Sequence, residues 1–171
     1  QRCPAEIIDI YREDVPLTIE PKSGEWTKEG KTITALRTDG FAYAAIAHQK
    51  NGLIQLSLSM KGEHCSAGIV FRAGPDLSTY YALRLEPARK RTIIERVPHI
   101  AEVKFRSERD LIYSERQTVD IKLFLDSSII EAFVAGRSAL CCRAYDFAEG
   151  EIGLYVEHGE VVFTNISMSQ L

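Results

Sequence analysis

Apolar and polar side chains alternate with a period of two through most of this chain, and turn residues break the alternation before any run grows long. Leu53, Gln55, Ser57 and Ser59 alternate with Ile54, Leu56, Leu58 and Met60. In an extended strand Val119, Ile121, Leu123 and Leu125 face one way, and Asp120, Lys122, Phe124 and Asp126 the other. Similar runs recur at Lys31–Arg37, Phe41–Ala47, Ser66–Arg72, Thr79–Leu85, Thr92–Val97, Glu102–Arg106, Ile129–Val134, Ser138–Ala144, Ile152–Val156 and Val161–Ser167. Their β-branched and aromatic residues suit a pleated, half-buried surface. Lys50-Asn51-Gly52, Ala73-Gly74-Pro75-Asp76, Glu149-Gly150 and His158-Gly159 supply turn chemistry between them. A helical period is absent, and Asp9–Val15 allows a short helical turn at most. Many short strands without intervening helices predict an all-β chain, an antiparallel two-sheet β-sandwich of the jelly-roll kind.

A chain of 171 residues suits one domain. A domain of that size buries roughly 70% of the surface its unfolded form exposes, enough to fold without a staple. Residues 1–171 are therefore read as a single sandwich. The first thirty, interrupted by Pro4, Pro16 and Pro21, form an irregular lead-in that wraps the outside or arrives from a preceding domain. The start at Gln1, with neither initiator Met nor apolar leader, reads as a mature form or an excised piece. A net charge of −3 gives no global field for nucleic acid or an anionic membrane surface, so neither is an expected partner. Cys3, Cys65, Cys141 and Cys142 lack zinc spacing, and adjacent strand cysteines point to opposite faces. They read as buried hydrophobes or free thiols, with one bridge from Cys3 left open.

The signatures of nucleophile elbows, phosphate loops, zinc helices and dinucleotide folds are missing, and the four histidines are scattered. No cofactor or metal is expected. Asp126 and Glu131 flank the tight connection Ser127-Ser128, and a carboxylate pair is what a glycosidase needs, but no second element of such a site supports them. Binding fits better. A sugar site on a sandwich needs acceptors for neighbouring hydroxyls, a charged donor and an aromatic face. Arg72 closes one apolar strand, and Tyr80-Tyr81-Ala82-Leu83-Arg84 follows a turn later, with Tyr81 and Leu83 on one face and Tyr80, Ala82 and Arg84 on the other. A buried Arg72 calls for a carboxylate, either as a sugar-binding pair or as an ion pair holding the sheets in register.

The stretch from Phe124 to Gly136 resembles the hairpin in the C-terminal β-sandwich of family 32 glycoside hydrolases, the invertases, levanases and inulinases. Asp126, Ser128, Glu131, Phe133 and Gly136 stand where that motif has them. Arg143-Ala144-Tyr145 and Gly153-Leu154-Tyr155 resemble the closing strands of the same domain. Ala67–Arg72 and Tyr80–Leu85 are similar to related concanavalin-like sandwiches, among them the family 66 carbohydrate-binding modules that bind fructans. The resemblance covers about Leu53 to Leu171. It implies that the chemistry resides in a separate catalytic propeller whose motifs this chain lacks, so the chain itself is expected to have no catalytic residues. It implies a non-catalytic sandwich, either structural or sugar-binding; the leading expectation is a module that recognises terminal fructosyl units of levan or inulin, and hence an extracellular setting, although a cytoplasmic one suits unpaired cysteines as well. Arg72, Asp126 and Glu131 best match the ligand roles, with Arg84 and Tyr81 beside them and Glu25 and Trp26 as rim residues. Asp126 and Glu131 each have an architectural reading too, as acceptors for turn and strand N–H groups. The rival expectations are a purely structural sandwich packed on the propeller, a stand-alone lectin-like or laminin-G-like module, and a jelly-roll hydrolase.

Overall fold

Extended backbone follows from the alternation almost wherever it occurs. The structure, a computed structural model, describes residues 3–100, 103–115 and 117–171. Its elements are α1 (Ala5–Ile8), β1 (Glu13–Asp14), β2 (Glu20–Ser23), β3 (Trp26–Glu29), β4 (Thr32–His48), β5 (Gly52–Lys61), β6 (Ser66–Ala73), β7 (Tyr80–Glu86), β8 (Arg91–Ile100), β9 (Val103–Asp110), β10 (Val119–Asp126), β11 (Ile129–Val134), β12 (Ser138–Arg143) and β13 (Glu151–Gln170). Every ladder is antiparallel. The strand expected at Glu102–Arg106 begins at Val103 and continues to Asp110, with Glu102 outside the described residues.

Two pairs of expected strands are fused. Lys31–Arg37 and Phe41–Ala47 belong to the single 17-residue β4, and Ile152–Val156 and Val161–Ser167 to the single 20-residue β13. His158-Gly159, read as a turn, is a bend inside β13, with His158 at φ 52° and register shifts on either side of Gly159. The bend lets both strands pass from one layer to the other. Glu151–Glu157 lies between the second half of β4 and β6, whereas Glu160–Ser169 lies against β5, with the first half of β4 on its other side as far as Phe163. The first layer therefore runs β2-β4-β13-β6-β7-β8-β9 and the second β3-β4-β13-β5-β10-β11-β12. β9 and β12 meet on the far side, so the sandwich is nearly closed.

Between the layers lie the apolar halves of the strands: Leu56, Leu58, Ile69, Phe71, Leu83, Leu123, Ile130, Leu154 and Phe163 among others. Each such side chain contributes about 1.5–3 kcal/mol of burial. A smaller apolar cluster of Tyr43, Ala45, Val70, Ala82 and Tyr155 lies apart from that core. The lead-in is more ordered than an irregular segment. Its helix falls at Ala5–Ile8 rather than Asp9–Val15, a single turn of four residues with no side-chain cap and no buried residue. β1 pairs with the end of β13, and Tyr11 sets its ring edge-on to Phe124 at 5.6 Å and 63°. The segment thus crosses the outer face of the second layer. All four cysteines are free thiols. No helix among the described residues is long and apolar enough to cross a membrane.

Candidate functional site

On β7 the alternation sends Tyr81, Leu83 and Leu85 into the core and Tyr80, Ala82 and Arg84 to the outer face of the first layer. Arg84 stands opposite Gly68 of β6, and Gly68 stands opposite Tyr155 of β13. A β-carbon at Gly68 would collide with the Leu83 carbonyl oxygen and come within 3.2 Å of the Tyr155 ring. Glycine there lets Arg84 lean over Tyr155, its guanidinium carbon 5.4 Å from the ring centroid. Phe41 lies on Tyr155, 5.6 Å between centroids and 15° between planes, and remains 36% exposed. It also stands directly opposite Glu157 in the ladder.

Three carboxylates surround the guanidinium. Arg84 donates to Glu95 Oε1 at 2.8 Å and to Glu157 Oε2 at 2.6 Å, and Glu86 lies 3.6 Å away. Glu86 is shared with Arg91 at 2.5 Å, and Glu95 meets His99 Nε2 at 3.1 Å. The side chains are 18% exposed at Arg84, 26% at Glu157 and only 4% at Glu95. Burial alone would lower the Arg84 pKa, but ionisable Tyr155 and the charges of Glu95 and Glu157 outweigh it, so Arg84 is held above its ordinary value and stays cationic. Burial pushes the Tyr155 phenol up, and its hydroxyl shares a 3.1 Å hydrogen bond with Ser66. One fixed cation, a partly exposed carboxylate at Glu157 with lone pairs to spare and an open aromatic plate therefore share one face.

Residues 20–170 match the family model for the C-terminal region of family 32 glycosyl hydrolases. The chain belongs to that family. Among curated proteins none matches it. The module resembles a family 66 carbohydrate-binding module from Bacillus subtilis at TM-score 0.77 and 16% identity, over 89% of this chain and 95% of that one. A Bacillus subtilis protein of unknown function with a galectin-like fold matches at TM-score 0.63 and 11% identity, over 99% of this chain and 92% of that one. An Aspergillus kawachii β-fructofuranosidase in complex with glycerol matches at TM-score 0.62 and 18% identity, over 87% of this chain but 28% of that one. At such identities these likenesses establish the sandwich fold.

The structure disperses the site residues expected from sequence. Only Arg84 lies on the face just described. Tyr81 is 0% exposed; its ring stacks on Phe71 in the core and its hydroxyl donates to Asp146 at 3.3 Å. Arg72 is also buried, at a left-handed φ of 53°, and binds main-chain carbonyls rather than a carboxylate: Nη1 donates to Ala144 at 3.1 Å and Phe147 at 3.2 Å, and Nη2 to Ser127. Burial lowers its pKa, with ionisable Tyr81 and Cys142 opposing the shift. It clamps two loops from inside. Asp126 and Glu131 lie on the outer face of the second layer, on neighbouring strands. The turn they flank is braced by Asn51, which accepts the Ser127 N–H at 2.9 Å, while Asp126 accepts the Ser127 hydroxyl at 3.3 Å.

Glu25 is exposed, and its carbonyl accepts the Leu36 N–H at 2.9 Å. Trp26 donates to Ser23 O at 2.8 Å and stacks on Phe163 at 6.3 Å, closing the edge of the second layer. The partners of Arg84 were not singled out in the sequence, yet Glu95 carries a legible signal. A carboxylate inside the apolar run Thr92–Val97 requires a buried cation. Among the described residues no cluster of three or more metal-ligating side chains occurs.

Proposed function

We propose that this family 32 C-terminal module is a non-catalytic sugar-binding accessory domain that recognises terminal fructosyl units of levan- or inulin-type polymers, alongside a catalytic propeller in its parent enzyme and outside the cell. The observation that carries the reading is the Arg84 cluster on an outer sheet face. Arg84 supplies the charged donor, Glu157 accepts from neighbouring hydroxyls, buried Glu95 holds the guanidinium in place, and Phe41 offers an apolar plate to one side of the ring. The likeness to a carbohydrate-binding module and to a β-fructofuranosidase supports the choice of ligand class. Asp126 and Glu131 enter this reading as hairpin residues of the opposite layer.

Isothermal titration calorimetry with levan, inulin and an unrelated glucan tests it. The expected result is heat with a fructan and none with the glucan. Glu157→Gln keeps the shape but removes the charge, and is expected to weaken binding about tenfold or more, the scale of one charge-assisted hydrogen bond. Absence of heat with both fructans would overturn the binding claim and leave a purely structural sandwich.

A further inference from the structure

The outer face of the second layer holds a groove that the proposed function leaves unused. Its volume of about 500 Å³ lies within the roughly 300–1,000 Å³ typical of small-molecule sites. The floor runs across the strands, for Lys122 of β10 stands opposite Gln55 of β5 on one side and Phe133 of β11 on the other. One row along, Ser57 stands opposite Asp120 and donates to its carboxylate at 2.6 Å.

Asn165 reaches the groove by a β-bulge. Between Thr164 and Ser167 β13 takes three steps, while β5 takes two between Ser57 and Gln55. Asn165, within that bulge, sits at φ 52°, a left-handed conformation that Asn tolerates better than most residues. Bulges re-aim side chains, and this one places an amide on the wall of a cavity. At the far end the Phe133 ring is half-buried and fixed edge-on against Phe124, at 6.0 Å and 85°.

The chemistry of the lining narrows the ligand. Gln55, Ser57 and Asn165 are neutral and offer both donors and acceptors. Asp120 and Lys122 carry opposite charges, so the groove has no net charge to attract a phosphate or an acidic sugar. Lys122 makes no ion pair among the described residues and keeps its ammonium for a ligand. A neutral ligand dense in hydroxyls, with one apolar face for Phe133, is a saccharide ring. We propose that this groove is a second saccharide site that takes a segment of neutral polysaccharide, on the layer opposite Arg84. With sites on both outer faces, one module would bridge two polymer chains or two stretches of one, gaining avidity that neither site has alone.

The test is a heteronuclear NMR titration of the 171-residue chain carrying Glu157→Gln, with inulin-, levan-, gluco- and xylo-oligosaccharides in turn. The side-chain amides of Gln55 and Asn165 report on the groove directly. The expected result is that at least one oligosaccharide shifts both signals. Asn165→Gly, which suits the left-handed backbone, should weaken that binding about three- to tenfold, the scale of one lost hydrogen bond. Phe133→Leu should weaken it similarly. If none of the four sugars moves either signal, or if Asn165→Gly binds as tightly as its parent, the proposal is overturned. A response of unmodified chain confined to the surroundings of Arg84 would also overturn it while leaving the first site intact, and a response confined to the groove would do the reverse.

Discussion

Replacing Arg84 by Met keeps most of the side-chain stem but removes the cation from a cluster with three carboxylates. The cost can be apportioned from the geometry. Glu86 keeps Arg91 at 2.5 Å, and Glu157, 26% exposed, can turn to water. Glu95 is the group left stranded, because its side chain is 4% exposed and its remaining partner is His99 at 3.1 Å. Removing one partner of a buried pair typically costs about 3–5 kcal/mol, and the retained histidine places this case near the lower end, at about 3 kcal/mol. For a chain of this size that is a fall in Tm of about 6–12 °C. Urea denaturation at pH 7, with calorimetric melting as a second readout, measures it. The companion variant Arg84→Met/Glu95→Leu removes the stranded carboxylate and is expected to recover to within about 1 kcal/mol of the parent. Two results would refute the reasoning: a single variant as stable as the parent, or a double variant no more stable than the single one.

Three further outcomes are expected. Tyr43 and Tyr155 both have raised pKa values, through burial first and, for Tyr43, through Glu151, whose carboxylate its hydroxyl meets at 2.9 Å. The unfolded chain ionises these phenols near pH 10 while the folded chain keeps them protonated, so stability should fall above that pH by about 1.4 kcal/mol per pH unit for each tyrosine. Tyrosinate absorbance should then rise together with loss of circular dichroism; ionisation well before unfolding would contradict it. Among the thiols, Cys141 is exposed, whereas Cys142 is buried and Cys65 is buried with its pKa pushed up to about 11 by desolvation. A thiol reagent at pH 8 should therefore label Cys141 within minutes and Cys65 only on unfolding, as peptide mapping can show. Gly68→Ala should cost about 3 kcal/mol or more, because the added methyl meets a strand carbonyl and the Tyr155 ring and cannot be accommodated by a side-chain rotation. A melting temperature within 3 °C of the parent would show that β6 and β7 separate more easily than their packing implies.

The fold was legible because each run of alternation is a local pattern. Leu56 and Leu58 face the core whichever strands lie beside them. The fusion of runs into β4 and β13 was not legible. His158-Gly159 has the composition of a turn, and what makes it a bend is the ladder to β4, in which Gly159 pairs with Thr38. That partner lies far away in sequence. The same holds for the candidate site. Arg84 was visible as a charge on an apolar strand, but its register with Glu95 and Glu157 depends on three ladders joining four strands, β8 to β7, β7 to β6 and β6 to β13. Arg72 shows the opposite case. A buried guanidinium was correctly expected to need partners, but main-chain carbonyls carry no mark in the sequence, so the carboxylate it seemed to require is replaced by Ala144, Phe147 and Ser127. The Asp126–Glu131 hairpin is recognisable at once because its residues are contiguous, yet contiguity says nothing of which layer faces a ligand.

The central place of β13 bears on how the protein is made. Residues 151–170 lie between the two halves of β4 on one side and β6 and β5 on the other, so both layers are completed by the same stretch. Every strand it joins leaves the ribosome earlier. Until that stretch emerges, β4 lacks its long partner, and β5 and β6 each present an unpaired edge. Ladders between residues this far apart form slowly, and open edges invite association with other chains. A nascent module of this kind therefore waits, nearly complete and unable to close, for its last strand, and that interval is when a chaperone would find most to hold.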